Sequence, residues 1–403
     1  MQWLVAILST AVCAQACADP LQFEVQVEAV LEHDDGDFLW YHPRPVVAAG
    51  MHNPEIFITL QKHLSADDYY SGLHVLRRPL AGGLWHGPSA VPELQWRRER
   101  DVTISVADVT PGWHPQTKRL LAIGCQVPYD PSGRQILEGQ PRQHQTAYAV
   151  HGPRNGTWSG WQVLAMPDDP KFNLSRNACS QWLTKSDGSL LLPLYFGPDA
   201  SGPWSVTVAE CSFDGKRLRY LRHGDEIALD VDRGLVEPSI IAYNGRYYLT
   251  IRNDRRGYVS VSDDGLHWAP IQTWTFDDGV DLGSYNTQQH WLAHSDGLFL
   301  VYTRRGAMND HIFRHRAPLF IARVDPDRLQ VLRATERVLV SERGGELGNF
   351  GAAAIDKNES WVTVSEGVWS DDARQRGAKG ATFVARVIWS QPNALAPSMA
   401  QVE

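Results

Sequence analysis

The chemistry in this chain starts with an acid and a guanidinium set at a fixed spacing. In "VEPSIIAYNGRYYLTIRN", Val236 to Asn253, a glutamate precedes an apolar run and an arginine follows its return. The Asn-Gly pair between the runs is the strongest short hairpin signal, because both central turn residues need positive φ. With Asn244 and Gly245 in the turn, Tyr243 faces Arg246, and counting outward sets Glu237 opposite Arg252. Side chains paired in that way share one face of a sheet, with Cβ atoms about 5 Å apart. The pair is either a cross-strand salt bridge contributing roughly 0.2–1 kcal/mol or half of a site.

The elements that must position it repeat along the chain. "NACSQWLTKSDGSLLLPLYF" (177–196) and "YNTQQHWLAHSDGLFLVYTR" (285–304) follow the same plan of polar start, short strand, turn with glycine and apolar strand. Further copies lie at 42–61, 108–127 and 348–366. Self-similarity at roughly 50 to 70 residues, in strands with almost no helical period, predicts an all-β fold, a six-bladed β-propeller with seven blades possible. One domain is expected over 19–391, with a loose tail over 392–403. Seven residues past Gly188, Gly245 and Gly297 stand Tyr195, Arg252 and Arg304. Equivalent blade positions surround one axis, so these three are expected to converge. Guanidinium forks near an axis point to an anionic ligand, because each can grip a carboxylate through two bonds.

Composition agrees with a large folded core: 403 residues, 43% apolar, with 15 tryptophans. The formal net charge of −8, without a basic block, argues against a nucleic-acid partner. "MQWLVAILSTAVCAQACA" is uncharged, with a short apolar stretch and small residues at Ala14, Ala16 and Ala18, and reads as a signal peptide over 1–18. Secretion to the periplasm or cell surface follows, with lipid anchoring at Cys17 as a variant; the segment is too short to span a bilayer. Cys125, Cys179 and Cys211 then remain, without a Cys-x-x-Cys pair, and are expected to be buried thiols. No cofactor or metal is expected, the run 34–38 reads as a solvated turn, and the protein is expected to be a monomer.

Particular motifs carry a resemblance. "VSDDGLHW" (261–268) matches Asp263, Gly265 and Trp268 of the Ser-x-Asp-x-Gly-x-x-Trp turn, with Val261 in place of serine, and "GGLW" (82–85) is a worn second copy. "HPRP" (42–45) falls where an Arg-Ile-Pro motif is found, and Arg316 in "RAPLFIARV" falls at a third arginine. On these residues, over about 38–390, the chain resembles the sialidase superfamily of Asp-box propellers. The resemblance implies that Arg44, Arg252 and Arg316 hold a substrate carboxylate, that Asp68 is the acid/base, and that a glutamate, matched by Glu237, activates a tyrosine nucleophile. Asp263 is expected to cap its turn. Counting back from Glu366, the nucleophile position holds Phe350, which cannot attack an anomeric carbon.

Three functions stay open at this level. One is an exo-acting glycosidase of sialidase type on acidic oligo- or polysaccharides. Another is a uronate lyase, since "HPR", "GWH" and "SYNTQQHW" are similar to propeller lyases of rhamnose–glucuronate linkages; there His74, His114, Tyr195, Tyr285 and His290 are candidate bases or substrate contacts. The third is a non-catalytic propeller that binds acidic glycans. Trp113 and Trp291 are candidates for stacking on a sugar, and Arg304 for a place on the rim.

Overall fold

The computed structural model describes residues 21–49, 53–65, 68–137, 144–152 and 156–397. The expected signal segment and the residues from 398 onward lie outside the described residues. Among the described residues the only α-helix is the short Asp371–Gln375, and no helix is long and apolar enough to cross a membrane. The rest is an all-β propeller of short, mostly antiparallel strands with a few 3-10 turns.

Each of the six hairpins that the repeat predicts is formed. The Asn-Gly hairpin joins Val236–Tyr243 to Arg246–Arg252 with Tyr243 facing Arg246, and Asn244 and Gly245 have φ of 49° and 76°. The strands hydrogen-bond into five sheets rather than six or seven separate ones. Four of these are four- or five-stranded blades. The fifth has eleven strands and carries two hairpins, 102–129 and 183–197, because Leu174–Arg176 runs parallel to His144–Gly152 and bridges them. The ring is closed by the chain's two ends: Phe23–Glu32 pairs with Ala381–Trp389 from Phe23↔Trp389 to Glu32↔Ala381.

Large aromatic residues fill the space between sheets. Trp274, Trp291 and Trp361 are at most 1% exposed, and Trp291 lies against Tyr248 and Trp274 instead of facing a sugar. The turn 262–268 differs from expectation by one residue. Asp264 accepts the backbone N–H groups of Leu266 and His267 and the hydroxyl of Ser262, while Asp263 points outward to Arg246. In the 34–38 turn, Arg374 pairs with Asp34. Residues 391–397 are held in place: Asn393, 2% exposed, bonds Ala293 O, Ser295 N and Lys357 O. Cys125, Cys179 and Cys211 are buried free thiols.

One device sets up the site. In or shortly before the first strands of five hairpins stands a non-glycine residue at positive φ: His42 (54°), Asp108 (57°), Cys179 (51°), Glu237 (48°) and Asn286 (53°). Bulges coincide with three of them, between Tyr41 and Arg44, Ala107 and Thr110, and Val236 and Ser239. This conformation is disfavoured for L residues by on the order of 1–3 kcal/mol and collects at functional positions.

Candidate active site

Glu237 and Arg252 are joined, but not as directly facing residues. The bulge sets Val236 opposite Arg252 and turns Glu237 out of the ladder, where its Oε1 meets Arg252 Nη1 at 2.5 Å. Glu237 Oε2 is buried without a partner among the described residues. The other Arg252 fork nitrogen donates to Asn286 Oδ1 at 2.8 Å and lies 3.3 Å from Asp254. Arg316, from the next blade, closes on the same asparagine: its Nη2 donates to Asn286 O at 2.5 Å and its Nη1 to Glu346 Oε2 at 3.3 Å. Arg252 and Arg316 are 6% and 7% exposed.

Beside them stands an arginine that the sequence reading passed over. Arg314 is exposed, sits at φ 54°, and has no carboxylate partner among the described residues. Partial burial, and then the charges of Arg316 and Arg252, lower its pKa. The only sequence signal was its place two residues before Arg316 in "FRHRAPL".

On the facing side, the Tyr41 hydroxyl donates to Glu346 Oε1 at 2.7 Å, and Trp369 Nε1 donates to the same oxygen at 3.1 Å. Burial first and the Glu346 charge second push the Tyr41 phenol well above its ordinary pKa; Arg316 and Asp68 also act on it. Tyr41 packs on His63, whose Nε2 lies 3.6 Å from Asp68. The Asp68 side chain is 65% exposed. Desolvation raises its carboxyl, but bonds from His63 and Tyr70 outweigh it and leave the pKa below the usual value.

Arg44 lies deeper than the clamp. Its Nη1 donates to His290 Nε2 at 3.1 Å and to Phe350 O at 3.2 Å, and His290 Nδ1 bonds Ser239 Oγ at 3.0 Å. Burial and the Arg44 charge hold His290 neutral. Nε and Nη2 of Arg44 have no partner among the described residues. Arg44 and His290 stand where the later halves of the inner strands line a cavity of about 590 Å³, with Trp113 and Trp182 in its wall. Phe350, 0% exposed, packs edge-on to His290 in the core.

Several predicted residues serve structure. His74 bonds Gly72 O and packs on Trp40. His114 ties a turn through Thr117 and Gly188 O. Arg304 is taken up by Glu336 through two bonds of 2.7 and 2.8 Å, so it does not converge with Arg252. Tyr195 is 6% exposed under Arg176. Glu366 is held by Arg343. Tyr285 stays at the rim, with its hydroxyl 2.5 Å from His315 Nδ1.

With this geometry in place, comparison with known proteins gives the fold. No protein-family model and no curated protein matches the chain. Solved structures do. A Dyadobacter fermentans protein of unknown function matches with TM-score 0.62 at 14% identity, covering 90% of this chain and 99% of that one. The Trypanosoma rangeli sialidase in complex with sialic acid matches with TM-score 0.57 at 13% identity, over 92% of this chain and 60% of that one. A Penicillium chrysogenum α-L-arabinanase complexed with arabinobiose matches with TM-score 0.54 at 11% identity, over 91% and 98%. The chain is therefore similar in fold to propellers that include glycosidases.

Proposed function

We propose that this protein is a secreted carbohydrate-active enzyme that acts on carboxylate-bearing glycans, as an exo-glycosidase. The observation that carries the reading is the convergence of Arg252 and Arg316 on Asn286, with Arg314, uncommitted to any carboxylate among the described residues, two residues before Arg316. Such forks suit a carboxylate gripped through paired N–H···O bonds. Similarity in fold to sialidases and an arabinanase supports a glycan as ligand. In the same reading the eleven-stranded sheet is two blades fused edge to edge, which makes six.

The roles follow from position. Tyr41, bonded to Glu346, supplies the hydroxyl that Phe350 cannot. Its oxygen attacks the anomeric carbon while its proton passes to Glu346. Asp68, protonated once the sugar excludes solvent from it, gives that proton to the departing oxygen. Water, deprotonated by Asp68, then cleaves the tyrosyl link and Tyr41 regains its proton. Glu237 fixes Arg252.

A second reading, β-elimination of a uronate, rests on the Tyr285–His315–Asp310 chain at the rim, with contacts of 2.5 and 3.2 Å beside Arg316. One assay separates the readings. Purified protein is incubated with a fluorogenic sialoside, aryl uronides and uronate polymers. Release of aryl alcohol supports the glycosidase, and rising absorbance near 230 nm the lyase. Binding of acidic oligosaccharide without turnover leaves a lectin, and neither binding nor turnover on any of them ends the acidic-glycan reading.

A further inference from the structure

His42, within Leu39–Ala48, Asp108, within Val102–His114, and Cys179, shortly before Leu183–Thr184, come from three hairpins and meet at one point. His42 Nε2 lies 2.9 Å from Asp108 Oδ1, and Cys179 Sγ lies 3.0 Å from that same oxygen. One donor atom from each of the three lies within 4.8 Å of the other two. We propose that this trio is a binding site for a divalent metal ion of the zinc class.

The donor set selects the metal. One imidazole nitrogen, one carboxylate oxygen and one sulfur suit a borderline-soft ion, whereas calcium and magnesium take oxygen ligands. The spacing fits as well. Bonds of about 2.0–2.3 Å in a tetrahedron put ligand atoms about 3.3–3.7 Å apart. The observed contacts of 2.9 and 3.0 Å need only a small expansion, because a proton now bridges each pair. With the Cys179 proton displaced, thiolate and carboxylate together cancel a double positive charge. His42 Nδ1 has no partner among the described residues, so nothing already bonded there opposes its taking up the proton that a metal ion displaces from Nε2.

Positive φ alone does not distinguish the trio, since Glu237 and Asn286 share it. Those two are committed to Arg252 and Arg316; the trio is committed to itself. His42 and Cys179 side chains are almost wholly enclosed, while Asp108 is 21% exposed. The ion would be held by three protein ligands with its remaining side open toward solvent. That is how metal sites that do chemistry differ from closed structural ones.

The test does not depend on any glycan assay. Chelator-treated full-length protein is titrated with Co²⁺, followed by competition with Zn²⁺. The expected result is one equivalent bound, with tetrahedral visible bands and a thiolate-to-cobalt charge-transfer band in the near ultraviolet. Cys179→Ser removes the charge-transfer band, and Asp108→Asn and His42→Gln each weaken affinity by more than about tenfold, the scale seen when even an outer partner of a metal ligand is lost. Cys211→Ser leaves all signals unchanged. Because a ligand variant can misfold, each is checked by far-ultraviolet circular dichroism, and wild-type melting with and without Zn²⁺ gives a second readout. Absence of stoichiometric binding to wild type, or a charge-transfer band that survives in folded Cys179→Ser, overturns the proposal.

Discussion

Arg252 and Arg316 belong to neighbouring blades, yet both guanidinium groups close on Asn286, one on its side-chain oxygen at 2.8 Å and the other on its carbonyl at 2.5 Å. The asparagine holds two like charges side by side, and each also has a carboxylate behind it, Glu237 and Glu346. Arg314 lacks that support and is free to meet a ligand. Arg314→Ala is therefore expected to weaken binding of an acidic oligosaccharide by about 1.5–3 kcal/mol, the range for hydrogen bonds to charged groups. Stability should change by no more than about 0.5 kcal/mol, as for other exposed positions. Calorimetric titration beside thermal melting checks both halves.

Tyr41→Phe removes one hydroxyl and nothing else. The lost bond to Glu346 should reduce stability by about 1 kcal/mol. If Tyr41 is the nucleophile, turnover falls by at least about a hundredfold while ligand affinity holds. Unchanged kcat in the phenylalanine variant would move the nucleophile elsewhere.

A residue with no ligand contact can be used to displace the clamp. A Cβ on Gly348 would stand 2.5 Å from Arg316 Cδ and 3.1 Å from its Nε. Gly348→Ala should reduce stability by about 1–3 kcal/mol, as overpacking does, and weaken acidic-ligand binding through Arg316. Retained affinity in a folded Gly348→Ala protein would show that Arg316 is dispensable.

Acid should destabilise the fold through His144. Burial first and the Arg176 charge second lower its pKa to about 3, against about 6.5 in an unfolded chain. Below pH 6.5 the unfolded state takes up a proton that the folded state refuses. This stability is complete above pH 6.5 and is lost as pH falls toward 3, amounting to a few kcal/mol. Denaturant titrations from pH 7 to 4 should show a shallower decline for His144→Gln than for wild type.

The sequence made some of this plain and concealed the rest for identifiable reasons. The Asn-Gly hairpin could be read because turn chemistry fixes register, and Tyr243 does face Arg246. The Glu237–Arg252 partnership was also legible, although its geometry was not. Counting along a regular ladder cannot foresee that the chain bulges and turns a glutamate to φ 48°. The same spacing rule failed for Arg304, because a glutamate from a later segment, Glu336, claims it. Arg314 sits in a short irregular turn with no period, so no spacing rule singles it out. Tyr41 and Glu346 are 305 residues apart, and nothing local announces that they touch. Arg44 was found by motif but lies under the clamp, held by His290 and Phe350 O.

Because Phe23–Glu32 completes a sheet whose other strands are the last made, a growing polypeptide cannot finish its circle until synthesis has passed Trp389. Until then the flank of the first blade and an unpaired early strand stay uncovered, and such surfaces associate readily with other chains. A truncated product ending before Ala381 is thus an arc with two open rims. It should accumulate as aggregate instead of a smaller soluble domain, whichever sugar the finished protein takes.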